Sequence, residues 1–335
     1  MLKQLFALHF PLFTKKNMGT IIPLIFLIVG FVLLIYGANW LVDGATSIGV
    51  RAKMSPLIIG LTIVAFGTSL PELMVNIFSC AKGSSELAIG NIVGSNTMNI
   101  LLILGVSALV CPINVNRISI RRDIPAGFIA TAMLYFMAND TIWGSHHTVN
   151  WVDGIVLLLM GFAYLLLTLL KNDETDRNEE MQTPLSWGKT VLFIVAGVVS
   201  LYLGGEFVSR NAQILARNWG MSENTIGLTI VAMATSLPEL ITSIVAARKG
   251  NSDIAIGNVL GSNILNIFIV LGISSLILPL KFDFTMNMQL FILFAANALM
   301  LLFVFTGKGH KISRAEGALL VLGYVGFVTY SLIAA

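Results

Sequence analysis

The chain has 335 residues, of which 56% are hydrophobic and only 11% carry a charged side chain. Soluble domains carry about a quarter charged residues, so this composition excludes an ordinary soluble protein. The net charge is only +3, and the basic residues stand singly between apolar runs, which leaves no basic patch for nucleic acid.

Apolar runs follow one another along the chain, each about twenty residues long, the length of a membrane-spanning helix. Bounded by charged residues, Gly, Pro or Asn, they predict ten spans, at residues 20–42, 56–80, 86–111, 119–138, 149–170, 187–209, 223–247, 253–279, 284–306 and 314–334. The fourth is the weakest, because Arg121, Arg122 and Asp123 shorten its apolar part. The sequence therefore predicts an all-α polytopic membrane protein, with the lipid bilayer as its solvent.

The two halves of the chain repeat each other. A shift of 167 residues aligns Gly60–Glu72 with Gly227–Glu239 at 11 of 13 positions, and Ala88–Asn99 with Ala255–Asn266 at 8 of 12. Each half holds five predicted spans, an odd number, so we expect two inverted five-helix repeats. The predicted organisation is an N-terminal extension (1–19), a first repeat (20–171), a polar loop (172–186) and a second repeat (187–335).

Lysine and arginine are unevenly divided between the two sides of the predicted bundle. Thirteen of the twenty lie on the side of the 5/6 loop, which joins the fifth and sixth spans: Arg51, Lys53, Arg117, Arg121, Arg122, Lys171, Arg177, Lys189, Arg248, Lys249, Lys308, Lys311 and Arg314. Cytoplasmic loops carry such an excess. We therefore expect a plasma (inner) membrane protein with a cytoplasmic 5/6 loop and both termini outside. Cys80 and Cys111 then lie on opposite faces and are predicted to be unpaired.

Each half carries a glutamate directly after a proline, in "GTSLPE" ending at Glu72 and in "ATSLPE" ending at Glu239. A carboxylate inside a bilayer costs several kcal/mol, so its presence indicates a functional site. Pro71 and Pro238 interrupt their helices, and each leaves a carbonyl oxygen without an intrahelical donor. In hydrocarbon such an oxygen needs water, a side chain or a cation.

Further oxygen atoms are predicted beside these glutamates. Thr68 precedes Glu72 by four residues, so residual helicity would place its hydroxyl on one face with the carboxylate. The third and eighth spans carry polar stripes with i, i+4, i+8 spacing, which places each stripe on one helix face: Asn91, Ser95 and Asn99, and Asn258, Ser262 and Asn266. Gly90 with Gly94, and Gly257 with Gly261, would let neighbouring helices approach closely. We expect Asn96 and Asn263 to bond between helices, and Asp43 and Glu206, near span ends, to be solvated or paired.

The candidate ligands are all oxygens, with no His or Cys among them. Six to eight oxygens in flexible geometry suit Ca²⁺ and can suit Na⁺, whereas zinc, copper and iron are disfavoured. The two glutamates balance the charge of one Ca²⁺, so the bound ion need not leave net charge inside the membrane.

At these residues the sequence resembles the calcium/cation antiporter superfamily, which includes the sodium/calcium exchangers. The likeness runs from the first span to the tenth, and rests on the two "TSLPE" motifs, each followed by "GNxxGSNxxN". It implies two inverted halves with a cluster of ion sites between helices two, three, seven and eight. The first and sixth spans resemble the mobile pair of the family, with Asn39 and Asp43 aligned with Glu206 and Arg210.

The resemblance also implies roles for individual residues of this chain. Glu72 and Glu239 match the acidic ligands of Ca²⁺ and of the exchanged cation. Asn99 and Asn266 match two central positions, at which some relatives have one Asp. Six residues match the hydroxyl ligands: Thr68, Ser69, Ser95, Thr235, Ser236 and Ser262. Ala65 and Ala232 match positions that contribute backbone carbonyls.

The leading hypothesis is a secondary antiporter that exchanges Ca²⁺ for a monovalent cation by alternating access, with Na⁺ favoured. Proton coupling stays open because burial favours the protonated form of a carboxyl group, and K⁺ is a third possibility. A passive channel is disfavoured, since a pore usually needs rings from several subunits; we expect no oligomer to be required. An intramembrane enzyme is disfavoured because all four histidines lie outside the predicted spans, and we expect no cofactor apart from the transported ions.

Overall fold

The computed structural model describes residues 15–139, 147–170, 183–220, 232–306 and 309–334, and helices account for most of them. Numbered by the predicted span in which they fall, they are α1 (Lys15–Ala52), α2a (Pro56–Thr68), α2b (Leu70–Ala81), α3 (Ser85–Val110), α4 (Ile124–Asn139), α5 (Trp151–Leu170), α6 (Trp187–Asn218), α7a (Ala232–Ala234), α7b (Leu237–Arg248), α8 (Ser252–Ile277), α9 (Phe284–Thr306) and α10 (Arg314–Ala334). Within these ranges seven helices are long and apolar enough to cross a membrane, or eight if α2a and α2b form one span.

Two predicted boundaries are wrong. The spans predicted at 20–42 and 187–209 belong to helices that continue to Ala52 and Asn218. Hydropathy marks where the apolar run ends, whereas a helix continues as long as its polar residues still pack or reach solvent. The 1–14 part of the N-terminal extension, most of the polar loop and the start of the seventh span lie outside the described residues.

The second and seventh spans are interrupted beside their prolines, as the sequence predicts. α2a and α2b are bent by 42° relative to each other, and the break falls at Ser69 (φ −84°, ψ 4°). The equivalent break between α7a and α7b falls at Thr235–Ser236, with φ −92° and ψ 7° at Ser236. Each proline then lies in the first turn of the following helix, where an N–H would have no partner within that helix, so α2b and α7b lose no bond of their own.

Helices α3 and α8 form the centre of the molecule. In the 18-residue apolar stretch of each helix, 94% of α8 and 78% of α3 is buried, against 17% of α10. In each central helix a π-helical turn interrupts the α-helical pattern, beginning at Asn99 and at Asn266. Such turns are rare and are frequent at functional sites. The two polar stripes therefore lie in the core, and their last residues lie where the helix is irregular.

Glycine allows α2a to approach α8. A Cβ atom on Gly60 would lie 2.7 Å from the carbonyl oxygen of Ile254 and 3.0 Å from the Cα of Gly257. The close approach predicted at Gly257 is therefore confirmed. No described residue lies within 4 Å of a Cβ built on Gly94, and the segment 221–231, which would be its counterpart of α2a, lies outside the described residues.

Four short strands, which the sequence did not indicate, connect the halves at their loops. β1 (Ile113–Asn114) pairs antiparallel with β4 (Lys311–Ile312), and β2 (Thr148–Val149) pairs antiparallel with β3 (Leu280–Lys281). Each pair joins a loop of the first half to a loop of the second. Cys80 and Cys111 are free, which confirms that prediction.

Candidate cation-binding site

The two glutamates lie in the core, and each is held by a serine of the other half. Glu72 and Glu239 have no exposed surface. The Ser236 hydroxyl donates to Oε1 of Glu72 at 3.1 Å, and the Ser69 hydroxyl donates to Oε1 of Glu239 at 3.1 Å. Because the two bonds are related by the 167-residue shift, the two proline breaks meet at one place. The structure thus brings together two motifs that are far apart in the chain.

Four asparagines form hydrogen bonds between α3 and α8. The Asn96 amide donates to the backbone oxygen of Asn263 at 3.0 Å, and the Asn263 amide donates back to the oxygen of Asn96 at 3.2 Å. Asn99 donates to Oδ1 of Asn263 at 2.9 Å, and Asn266 donates to Oδ1 of Asn96 at 3.1 Å. The predicted interhelical bonding of Asn96 and Asn263 is confirmed. The same bonds occupy the amide nitrogens of Asn99 and Asn266 and leave their Oδ1 atoms available.

Several buried side-chain oxygens have no hydrogen-bond partner among the described residues, and six of them belong to predicted ligands that form three pairs related by the 167-residue shift. They are Oε2 of Glu72 and Glu239, Oγ of Ser95 and Ser262, and Oδ1 of Asn99 and Asn266. A buried polar atom without a partner costs about 1–3 kcal/mol, so six together call for a physical explanation. Every one of them is an oxygen acceptor, and a cation bound beside such an oxygen would take the place of the missing hydrogen-bond donor.

The remaining predicted ligands are placed less uniformly. Thr68 is buried, and its hydroxyl donates to Oδ1 of Asn258 at 3.0 Å, although the sequence had placed it on one face with Glu72. The Ala65 carbonyl accepts from the Thr68 hydroxyl at 3.3 Å and from the backbone N–H of Ser69 at 3.0 Å. Ala232 begins α7a, directly after the segment outside the described residues.

A second layer of polar residues, which sequence reasoning missed, orients the stripes. Asn76 accepts from the amide of Asn91 at 2.7 Å, and Ser243 accepts from the amide of Asn258 at 2.9 Å. Both bonds are again related by the shift. A signal was present in the sequence, since Asn76 and Ser243 each follow a motif glutamate by four residues, one helical turn.

A cavity of about 510 Å³ reaches this site from one end of the bundle. It lies between α2b, α6 and α7a, and its lining includes Pro71, Glu206, Arg210 and Thr235. We call the end of the bundle where α1 ends and α6 begins the 5/6 side, because Arg51 of α1 lies 4.4 Å from the Trp187 ring there. The cavity opens toward the other end, the opposite side, where α2b and α6 end.

The two halves differ at the threonine of the motif. Thr68 is fully buried and hydrogen-bonded, whereas Thr235, its equivalent, lines the cavity and its hydroxyl has no partner among the described residues. Two identical residues thus occupy two environments. The cavity therefore extends to Thr235 from the opposite side, whereas Thr68 is enclosed by protein.

Across the described part of the chain, no group of three or more His, Cys, Asp or Glu side chains lies close enough together to hold a metal ion. The charge at the site comes from Glu72 and Glu239 alone. The other candidate ligands are hydroxyl and amide oxygens, which are typical of sites for Ca²⁺ and other hard cations rather than for transition metals.

Comparison with protein families decides the identity. The family model "Sodium/calcium exchanger protein" matches residues 22–170 and 189–333. The chain belongs to this family. Together with the apolar helices described above, this makes it a multi-pass membrane protein.

Relatives and solved structures agree with this assignment. The sodium/calcium exchanger MaX1 of Methanosarcina acetivorans is 30% identical, in an alignment that covers 90% of this chain and 96% of MaX1. The Ca(2+)/H(+) antiporter ChaA of Bacillus subtilis is 26% identical and covers 81% of this chain and 82% of ChaA. A solved structure of the sodium-calcium exchanger NCX_Mj matches with a TM-score of 0.78 and 31% identity, covering 93% of this chain and 99% of that one.

Proposed function

We propose that this protein is a secondary active antiporter that exchanges Ca²⁺ for a monovalent cation, with Na⁺ as the favoured coupling ion. Glu72 and Glu239 carry the charge of the site. The other ligands are Ser95, Ser262, Asn99 and Asn266, with Thr68, Ser69, Thr235, Ser236 and the carbonyls of Ala65 and Ala232 around them. The chain is a transporter rather than an enzyme, and it uses no cofactor apart from the ions that it moves.

The observation that carries this proposal is the set of six buried oxygens without partners, contributed in three pairs by the two halves. Six oxygens are the lower limit of the six to eight that Ca²⁺ takes. Two carboxylates balance one Ca²⁺ ion, so the loaded site is neutral inside the membrane. Monovalent cations that bind the same oxygens would compete with Ca²⁺, and competition for one site is what couples their movements.

The proposed architecture consists of ten membrane-spanning helices in two inverted repeats, at 20–171 and 187–335, with the site between them. Inverted repeats support alternating access, because exchanging the conformations of the two halves opens the site to the other side of the membrane. The 5/6 side is proposed to face the cytoplasm, on the lysine and arginine count, with both termini outside. No oligomer is required, since one chain supplies both halves of the site.

Calcium uptake into vesicles tests this function directly. Purified protein is reconstituted into liposomes, and uptake of radioactive calcium is measured under an imposed gradient of Na⁺, of K⁺ or of H⁺. We expect uptake driven by the Na⁺ gradient and abolished when that gradient is collapsed. Uptake that none of the three gradients supports would overturn the antiporter assignment.

Proton coupling is the second candidate, and the likeness to a Ca(2+)/H(+) antiporter favours retaining it. Two buried carboxyl groups can bind protons as well as cations. In the same experiment, uptake that follows the pH gradient and ignores the Na⁺ gradient would replace Na⁺ by H⁺ as the coupling ion. The Ca²⁺ site would be the same in both cases.

A further inference from the structure

An ion pair links the two halves on the closed side of the site. Nζ of Lys249, in the connection between α7b and α8, donates to Oδ1 of Asp43 in α1 at 2.6 Å. Asp43 belongs to the first half and Lys249 to the second. The pair lies on the 5/6 side, because Asp43 precedes the end of α1 and Lys249 directly follows the end of α7b.

The route toward the site on the 5/6 side is sealed but polar. Applying the 167-residue shift to the cavity lining turns Gln213 into Thr46 and Val75 into Thr242. The hydroxyls of Thr46 and Thr242 are buried and have no hydrogen-bond partner among the described residues. Buried orphan hydroxyls carry a cost that water removes. They therefore mark a path that is hydrated when the 5/6 side opens.

The charges that flank the two routes are not equivalent. The shift relates Asp43 to Arg210 and Lys249 to Lys82. Closing the 5/6 side joins an acid to a base, whereas the same movement on the opposite side would bring two cations, Arg210 and Lys82, toward each other. Arg210 instead pairs with Glu206 in its own helix.

Resting on the proposed antiport function, we infer that the Asp43–Lys249 pair is a latch that holds the 5/6 side of the site closed. The reversed charge at Arg210 removes the equivalent latch from the opposite side. This difference sets the resting state of the carrier, open through the cavity beside Thr235. The latch changes the relative stability of the two conformations and contributes no ligand to the ion.

The expected size of the effect follows from exposure. The side chains of Asp43 and Lys249 are 44% and 29% exposed, and partly exposed ion pairs shift an equilibrium by about two- to five-fold. Salt weakens such pairs, because the Debye length shrinks from ~10 Å at 0.1 M to ~3 Å at 1 M. A preference of this size alters how often the 5/6 side opens without locking the carrier.

Cysteine labelling measures this preference without any transport. Single cysteines are introduced by Thr46→Cys, on the sealed route, or by its equivalent Gln213→Cys, in the cavity, with Cys80→Ser and Cys111→Ser removing the native thiols. A membrane-impermeant maleimide is applied to either face of sealed vesicles. In the parent we expect rapid labelling at position 213 and slow labelling at position 46.

Lys249→Gln is the informative variant, because it acts on the reporter in α1 from another helix. We expect it to raise the ratio of labelling at 46 to labelling at 213 about two- to five-fold. The exchange of charges, Asp43→Lys with Lys249→Asp, is expected to return the ratio to the parent value. Lys281→Gln, a matched change at an exposed lysine of β3 on the opposite side, is the control and should leave the ratio unchanged.

A ratio that Lys249→Gln leaves at the parent value would overturn the latch, and so would failure of the charge exchange to restore it. Restoration also excludes a purely structural effect of losing either side chain. Labelling needs no ion gradient, so the two proposals are tested separately. If Lys249→Gln leaves the labelling ratio unchanged while the protein still exchanges Ca²⁺, only the latch is refuted. Absence of gradient-driven uptake defeats the antiport proposal instead.

Discussion

Replacing either glutamate by glutamine tests whether the two carboxylates form one site. Glu72→Gln and Glu239→Gln keep the size of each side chain and remove one of the two negative charges from a fully buried position. Removing one partner of a buried charge pair costs about 3–5 kcal/mol. At about 1.4 kcal/mol for each factor of ten, this predicts Ca²⁺ binding weaker by roughly 10²-fold to several thousand-fold in each variant.

Two measurements detect the weaker Ca²⁺ binding. Ca²⁺ at 100 times its Kd stabilises the folded protein by about 2.7 kcal/mol, and a 100-fold weaker Kd leaves only about 0.4 kcal/mol at the same concentration. The rise of Tm on adding Ca²⁺ should therefore nearly vanish, together with radioactive calcium uptake. Glu86→Gln, the same substitution at an exposed position of α3, is the control and should change neither.

The double variant decides between one site and two. If both carboxylates bind the same ion, each single substitution already abolishes uptake, and the double substitution adds nothing. Uptake near half of the parent value in each single variant, lost only in the double variant, would refute the single-site reasoning. Binding by each glutamine variant as tight as that of the parent would show that the buried carboxylates have another role.

Four further substitutions test the hydrogen bonds and the packing around the site. Ser69→Ala and Ser236→Ala each remove one hydrogen bond to a carboxylate and should weaken Ca²⁺ binding equally, by about tenfold; unequal losses, measured by Ca²⁺ titration, would contradict equivalent halves. Asn263→Ala removes interhelical bonds between α3 and α8 and should lower the free energy of unfolding by about 1–3 kcal/mol, with no loss in chemical unfolding counting against it. Gly60→Ala places a Cβ 2.7 Å from a backbone oxygen of α8 and should lower the free energy of unfolding, and with it Tm, by an amount equivalent to about 1–3 kcal/mol. Gly188→Ala is the control, because its Cβ meets nothing within 4 Å among the described residues, and it should not lower Tm.

The candidate residues of the site could be named from the sequence because polar residues are scarce in this chain. A carboxylate inside an apolar span costs free energy, so Glu72 and Glu239 are recognisable as functional candidates. The repeat then adds the same residues twice, at a fixed spacing. Helical periodicity places Ser95 with Asn99 on one face of a single helix. These local rules are sufficient to name the candidate ligands.

The pairing between halves could not be predicted in this way. Periodicity placed Thr68 beside Glu72 on the same helix, but the break at Ser69 separates them, and the Thr68 hydroxyl bonds to Asn258 of the other half. The π-helical turns at Asn99 and Asn266 also have no local signal. Both features depend on how α3 and α8 dock, and docking is decided by the whole interface rather than by any segment.

The asymmetry of the structure is informative because the sequence around it is nearly symmetric. Thr68 and Thr235 belong to motifs that are identical at 11 of 13 positions, yet one is sealed and hydrogen-bonded while the other lines the cavity. Chemistry cannot distinguish two identical residues, so the difference is one of conformation. On the proposed alternating-access function, a state in which the two environments are exchanged has a similar free energy, and a ligand with a small differential affinity can select between the two. What separates their energies has to be found where the halves differ in charge, and Asp43 and its counterpart Arg210 are such a place.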